Sequence, residues 1–163
     1  MQNLRILNNK EIKQVLNKIK IQFGIKEIKL NLGMLRNKEG KIFLITKDIN
    51  KVNLDKLRIN ELGLYIAKED KGIRLSIEGS YIFGKYATKN VHEIDSIDAY
   101  FWMTGEDISC KKEFKDFVII RYKDDYLGTG KWKENKMRIF LIKQKRKSIK
   151  PIKIGVLIFF PAK

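Results

Sequence analysis

Residues 117–147, FVIIRYKDDYLGTGKWKENKMRIFLIKQKRK, place two apolar runs, Phe117 to Tyr122 and Met137 to Ile142, on either side of a glycine-bearing connection and close in a block of positive charge. β-branched and aromatic residues fill both runs, Asp124-Asp125 begins a turn and Leu127-Gly128-Thr129-Gly130 continues it, so the stretch predicts a strand hairpin. Basic and aromatic residues are interleaved along it, Lys136 among them. Arg121, Tyr126, Lys131, Trp132, Lys133, Arg138, Lys143, Lys145, Arg146 and Lys147 are the candidate RNA-binding residues. Lysine and arginine neutralise phosphates with release of counterions, and Tyr126 or Trp132 stacked on an unpaired base contributes about 1–3 kcal/mol. The plainer alternative is that both aromatics pack in a core and the lysines only face water.

Around this hairpin the charge is uneven. Of 163 residues, 35 are Lys or Arg and 19 are Asp or Glu, a net charge of +16. Residues 1–70 carry 15 basic and 8 acidic groups, residues 71–110 carry 4 and 6, and residues 111–163 carry 16 and 5. Two basic ends flank a near-neutral middle, the footprint of a polyanion-binding face; self-repulsion of this size does not favour a compact chain. A hydrophobic fraction of 44% is enough for a core. Cys110 is the only cysteine, which excludes an internal disulfide and a cysteine-based zinc site and fits a reducing cytoplasm. No run approaches the roughly 18 apolar residues of a spanning helix, and the N-terminus lacks the apolar centre of a signal peptide, so the chain is expected neither to be secreted by that route nor to be embedded. Nucleic acid leads as the partner of the basic charge, with an anionic membrane surface second, and no membrane is expected as a partner.

In chain order, Asn8 and Glu11 stand at capping-box spacing and Ile12, Val15, Leu16, Ile19 and Phe23 share one helical face, predicting a helix from Lys10 to Phe23 that Gly24 stops. Its other face, with Lys10, Lys13, Lys18 and Lys20, is either solvated or an extension of a basic surface. Ile28 to Leu32 and Lys41 to Ile45 predict a hairpin around Asn37 to Gly40. Leu57 to Ile59 and Leu62 to Ile66 predict two further strands, or one bent strand with a bulge at Gly63. Ser76 caps a short helix ending at Phe83, and Asp95 or Ser96 caps a second, Ile97 to Met103, with Ile97, Tyr100 and Phe101 on one side. Ile152 to Phe160, between Pro151 and Pro161, predicts a closing strand. The expected class is α+β: a small N-terminal α/β subdomain over residues 1–70, then a mixed β pseudobarrel with short helices over residues 71–163.

Three segments in order carry a family resemblance. Gly63-Leu-Tyr-Ile-Ala-Lys-Glu-Asp-Lys-Gly72 followed by Ile73-Arg-Leu-Ser76, then Val91-His-Glu-Ile-Asp95 through Thr104-Gly105-Glu106-Asp107-Ile108, then Phe117-Val-Ile-Ile-Arg-Tyr122 with Leu127-Gly128-x-Gly130-Lys131 and the tail Lys145-Arg146-Lys147, resemble one region. It is the C-terminal RNA-binding region of the Sun and RsmF type of RNA cytosine-5 methyltransferases, a relative of the PUA domain. The resemblance implies a PUA-like pseudobarrel that docks structured RNA, ribosomal or transfer. The layout is also similar to small archaeal and eukaryotic ribosome-biogenesis factors with a C-terminal PUA domain. Ile139 and Ile142 depart from the family pattern, which is polar and carries a proline before its terminal basic block.

Catalytic motifs are missing from the residues read. His92 has no Ser or Cys at a recognisable spacing, Asp124-Asp125 and Glu106-Asp107 lack a third ligand, and Gly128-Thr129-Gly130-Lys131 is neither spaced nor followed as a phosphate loop. No glycine-rich cofactor loop or Pro-Cys nucleophile precedes the PUA-like part, so no cofactor is expected. The expectation is a non-catalytic, cytoplasmic RNA-binding protein of ribosome biogenesis or RNA modification, with an RNA methyltransferase or pre-ribosomal proteins as further partners. The alternatives are an RNA-modifying enzyme related to the cytosine-5 methyltransferases and a basic protein-interaction scaffold.

Overall fold

The computed structural model describes residues 4–47 and 62–139. Strand β1 (Arg5–Ile6) leads into helix α1 (Asn9–Phe23), followed by β2 (Gly33–Arg36), β3 (Lys41–Ile45), β4 (Leu64–Glu69), β5 (Ile73–Leu75) and α2 (Ile77–Gly84). Then come β6 (Val91–Glu93), α3 (Ser96–Thr104), β7 (Ile108–Ser109), β8 (Phe117–Tyr122), β9 (Asp125–Lys133) and β10 (Lys136–Ile139). The strands form two sheets, in the orders β1-β2-β3-β4-β5 and β6-β8-β9-β10-β7, the second curled as a half-barrel. The class is α+β, as the sequence indicates. Among the described residues β6 and β8 form the parallel pair of an otherwise antiparallel arrangement.

Helix α1 starts where its capping box dictates. The Asn8 side chain accepts from the Glu11 backbone N–H at 3.0 Å, and the Glu11 carboxylate accepts from the Asn8 N–H at 2.9 Å. That hydrogen bond, with Arg5 adding to it, holds the Glu11 carboxyl below its ordinary pKa. Gly24, left-handed at φ 65°, ends the helix. Val15, Ile19 and Phe23 are buried against Met34, Ile42, Leu44, Ile66, Ile73 and Leu75 of the first sheet. Phe23 alone, fully buried, contributes roughly 2–3 kcal/mol.

The C-terminal carbonyls of α1 tie this core to the segment after α2. Phe23 O accepts from Thr88 N and Lys89 N at 3.0 and 3.2 Å, the Asn90 amide donates to Gln22 O at 2.7 Å, and the Thr88 hydroxyl donates to Gly24 O at 2.6 Å. Three orphan carbonyls of the helix end are thereby satisfied by one segment.

Strand β8 divides two cores. Ile119 faces α1 and the first sheet, while Val118 and Ile120 face Ile94, Ala99, Trp102, Ile108, Leu127, Met137 and Ile139. A strand buried on both faces reads as a continuous apolar run, which is why Phe-Val-Ile-Ile stands there. The β9 strand must then pass close to α3. A Cβ on Gly130 would lie 2.6 Å from Trp102 Cη2, so the glycine admits the indole, whose Nε1 donates to Leu127 O at 2.8 Å.

Several details differ from the sequence expectation. The strand expected at Ile28 to Leu32 is shifted to Gly33–Arg36, because the tight Asn37 turn sets the register: Asn37 Oδ1 accepts from Glu39 N and Lys41 N, which pairs Arg36 with Ile42. Ile28, Leu30 and Leu32 pack on the first core without entering the sheet. The bulge expected at Gly63 lies at Ile66, where the register steps from Ala67–Ile42 to Tyr65–Phe43 and the Ile66 carbonyl turns to accept from Ser76 N. Leu127 to Gly130 is not a turn. It runs within β9, with Gly128 (φ 90°) at a bulge between the pairs Ile119–Thr129 and Arg121–Tyr126, while the turns are two-residue links at Lys123-Asp124 and Glu134-Asn135. Helix α3 buries Ala99 and Trp102 and leaves Ile97 and Phe101 exposed, because the wide indole fills the space above Gly130. The strands expected at Leu57 to Ile59 and Ile152 to Phe160, and residues 140–142 of the last hairpin strand, lie outside the described residues.

Candidate nucleic-acid interface

The β9–β10 hairpin sorts its residues by parity. Trp132 stands opposite Met137 and Gly130 opposite Ile139, and this face packs on the second core. The alternate positions face away from it. There Lys131 stands opposite Arg138 and Lys133 opposite Lys136, so four cations share one open face. Like charges directly opposite each other on a strand pair are destabilising.

One carboxylate offsets the cluster. Glu134, in the turn, lies 3.3 Å from Arg138 Nη2 and 3.6 Å from Lys133 Nζ. It adopts a left-handed φ of 54°, a conformation that costs an ordinary residue about 1–2 kcal/mol, and Asn135 beside it has φ 58°. Positive φ at both central residues gives the I′ geometry that suits a two-residue hairpin. The Arg138 Nε finds no acceptor among the described residues, and Lys131 Nζ lies 5.1 Å above the Phe117 ring. Replacing Glu134 with glutamine removes the negative charge and keeps the shape. Glu134→Gln is therefore expected to tighten RNA binding about fivefold, as read by fluorescence anisotropy at fixed salt.

Of the sequence-derived candidates, Lys131, Lys133 and Arg138 meet on this face, joined by Lys136. Arg121 and Tyr126 form a cross-strand pair at the far end of β8 and β9. Arg121 Nη2 donates to Glu93 Oε2 at 2.5 Å, and this bond, with smaller help from Tyr126, raises the guanidinium pKa. Tyr126 packs over Gly84, where a Cβ would come within 2.3 Å of its ring. Trp132 is half-buried and its Nε1 donates to Cys110 O at 2.9 Å. Lys143, Lys145, Arg146 and Lys147 lie outside the described residues.

The other chemistry-bearing groups are built into the fold. Cys110 is buried and burial pushes its thiol pKa up, which disfavours the nucleophilic thiolate. His92, edge-on to Phe114, has its pKa lowered by burial. On the first sheet Lys18 and Arg36 both reach the largely buried Glu69 carboxylate, Arg36 at 2.9 Å, so part of the helix α1 charge is spent on structure. Among the described residues no helix is long and apolar enough to cross a membrane.

Sequence reasoning missed Lys89, Lys112 and Lys115, which line a cleft of about 630 Å³ beside Arg121. The run Lys111-Lys112 and the nearby Lys115 were visible in the sequence. Their position under the end of α2 was not, because it depends on the parallel pairing of β6 with β8.

Comparison with known proteins places these features. Residues 89–144 match the family described as the methyltransferase RsmF PUA domain. Over 125 residues, 76% of this chain and 25% of the relative, the chain is 33% identical to ribosomal RNA small subunit methyltransferase F of Aeromonas salmonicida (strain A449). It is 32% identical over the same share to the protein of that name in Aeromonas hydrophila subsp. hydrophila. To that of Vibrio vulnificus (strain YJ016) it is 31% identical over 86 residues, 52% of this chain and 18% of the relative. The chain thus spans about a quarter or less of the length of these relatives. All five strands of the half-barrel sheet fall within residues 89–144, and it is this part of the chain that matches the RsmF-type PUA domain.

Proposed function

We propose that the chain binds structured RNA through the open face of the β9–β10 hairpin and serves as a docking module in ribosomal RNA modification, without chemistry of its own. The observation that carries this reading is the pair of like-charged cross-strand couples, Lys131 with Arg138 and Lys133 with Lys136, which are unfavourable alone and favourable against phosphates. The match to the RsmF PUA domain and the name shared by the relatives support RNA, and ribosomal RNA in particular, as the polyanion. In this reading Lys143, Lys145, Arg146 and Lys147 add to the positive charge that attracts the RNA, and an RNA methyltransferase is the partner that supplies the reaction.

Salt dependence tests it. For an RNA hairpin whose stem is bound by the four cations, log K against log salt has an expected slope of about −3.6, steeper where the C-terminal basic block also contributes. Each of Lys131→Ala, Lys133→Ala and Lys136→Ala is expected to flatten that slope by about one, measured by anisotropy titration across a salt series. Binding that ignores salt, or slopes unmoved by all three substitutions, would remove this face from the interface.

A further inference from the structure

The cleft beside Arg121 is not part of the hairpin face. One wall is the end of α2 with residues 87–90, the other is the loop 112–116, and β6 forms the floor. Its volume of about 630 Å³ falls within the roughly 300–1,000 Å³ of pockets that hold one small ligand. The first wall is fixed before any ligand arrives: Thr88, Lys89 and Asn90 are bonded to the end of α1, Asn90 holds φ 55°, and its carbonyl accepts from Ile119 N at 2.8 Å. A wall tied down in this way loses little freedom on binding.

The lining is mixed rather than simply basic. Lys89, Lys112, Lys115 and Arg121 supply donors, and Glu93, Glu113 and Asp116 supply acceptors, with Val91 and Phe114 as apolar surface. A site built for a bare anion excludes carboxylates. Donors beside acceptors match the edge of a nucleobase, which offers both, with cations left over for the attached phosphate. Glu93, exposed itself, is engaged with Arg121 through Oε2, and Lys112 Nζ sits 5.0 Å over the Phe114 ring, while Glu113 and Asp116 are the exposed acceptors of the 112–116 wall. The cleft also adjoins the basic face. Asp116 is followed by Phe117, which pairs with Lys131 across β8 and β9.

We propose that this cleft takes a single unpaired nucleotide of the RNA whose paired backbone lies on the hairpin face, reading its base edge with Glu113 and Asp116 and holding its phosphate with Lys112 and Lys115. The inference rests on the RNA reading above. It gives the module a way to select a stem bearing one extruded base over an uninterrupted stem.

The test uses two RNA hairpins of identical stem, one with a single bulged guanosine, titrated against the full chain by fluorescence anisotropy at one salt concentration. The bulged RNA is expected to bind about tenfold tighter. The double variant Glu113→Ala with Asp116→Ala separates base reading from bulk charge. It makes the chain more basic, so electrostatics alone would tighten both RNAs and leave their ratio unchanged, whereas loss of base contacts brings the ratio close to one. Both residues are exposed, and circular dichroism is expected to be unaltered. Equal affinity of the unsubstituted chain for the two RNAs, or a ratio that survives the double variant, overturns the inference while leaving RNA binding by the hairpin face intact. Absence of binding to either RNA overturns both.

Discussion

Replacing Lys131 and Lys136 together with glutamate is expected to weaken RNA binding by about a hundredfold, close to 2.7 kcal/mol, without weakening the fold. The two effects separate because of the register. Lys131 stands opposite Arg138 and Lys136 opposite Lys133, so each substitution turns a like-charged cross-strand couple into an opposite-charged one. Opposite-charge couples contribute roughly 0.2–1 kcal/mol each, against which stands the loss of the Lys131 contact with the Phe117 ring, of similar size. The melting temperature should therefore hold or rise slightly while affinity collapses. Anisotropy titration and a thermal melt on the same sample measure both. Affinity that survives the double substitution, with the fold intact, would show that phosphates are met elsewhere, and a parallel fall in melting temperature would show that the lysines support structure.

How far this surface could be read in advance depended on which signals are local. The capping box at Asn8 and Glu11, the apolar spacing of α1 and the stop at Gly24 lie within one helix, and the structure matches them. The hairpin at residues 117–139 was legible as a hairpin, yet the glycines of Leu127-Gly128-Thr129-Gly130 suggested a turn. Their reason is tertiary: Gly128 carries a bulge and Gly130 admits Trp102, neither of which shows along the chain. The true turns fall at Lys123-Asp124 and Glu134-Asn135, and at Glu134 the residue type gives little warning of a positive φ. Once those two turns are fixed, parity assigns Lys131, Lys133, Lys136 and Arg138 to one face and Trp132 to the other, a separation that the interleaved sequence blurs. Likewise α3 offered Ile97, Tyr100 and Phe101 as a side, but Trp102 won the interior because Gly130 left it room.

Gly79→Ala in helix α2 is the substitution for which propensity and structure give opposite signs. Alanine is favoured over glycine in a helix by about 1 kcal/mol, so an isolated α2 would gain. In the fold, a Cβ at position 79 would lie 1.9 Å from Ile66 O and 2.8 Å from its carbonyl carbon, both backbone atoms of β4. A carbon and a carbonyl oxygen normally stay about 3.3 Å apart even in favourable contact, so α2 must retreat by more than an ångström. It is poorly placed to do so. Ser76 N is bonded to the same Ile66 carbonyl at 2.9 Å, the Ser76 hydroxyl donates to Tyr65 O at 2.7 Å, and Phe83 at the far end is fully buried. Overpacking of this kind costs about 1–3 kcal/mol beyond the propensity gain, and the expected result is a melting temperature lower by roughly 4–10 °C. The displacement also reaches the cleft proposed to take a nucleotide, since Gly84 of the same helix receives the Tyr126 ring and walls the cleft beside Arg121. Preference for a bulged over a paired RNA should therefore fall in this variant more than affinity for the paired stem, which depends on Lys131, Lys133, Lys136 and Arg138 of the β9–β10 face rather than on the wall that α2 supplies. A melting temperature that rises instead would mean that α2 does not lie against the Ile66 bulge, and the wall of the cleft would lose its support.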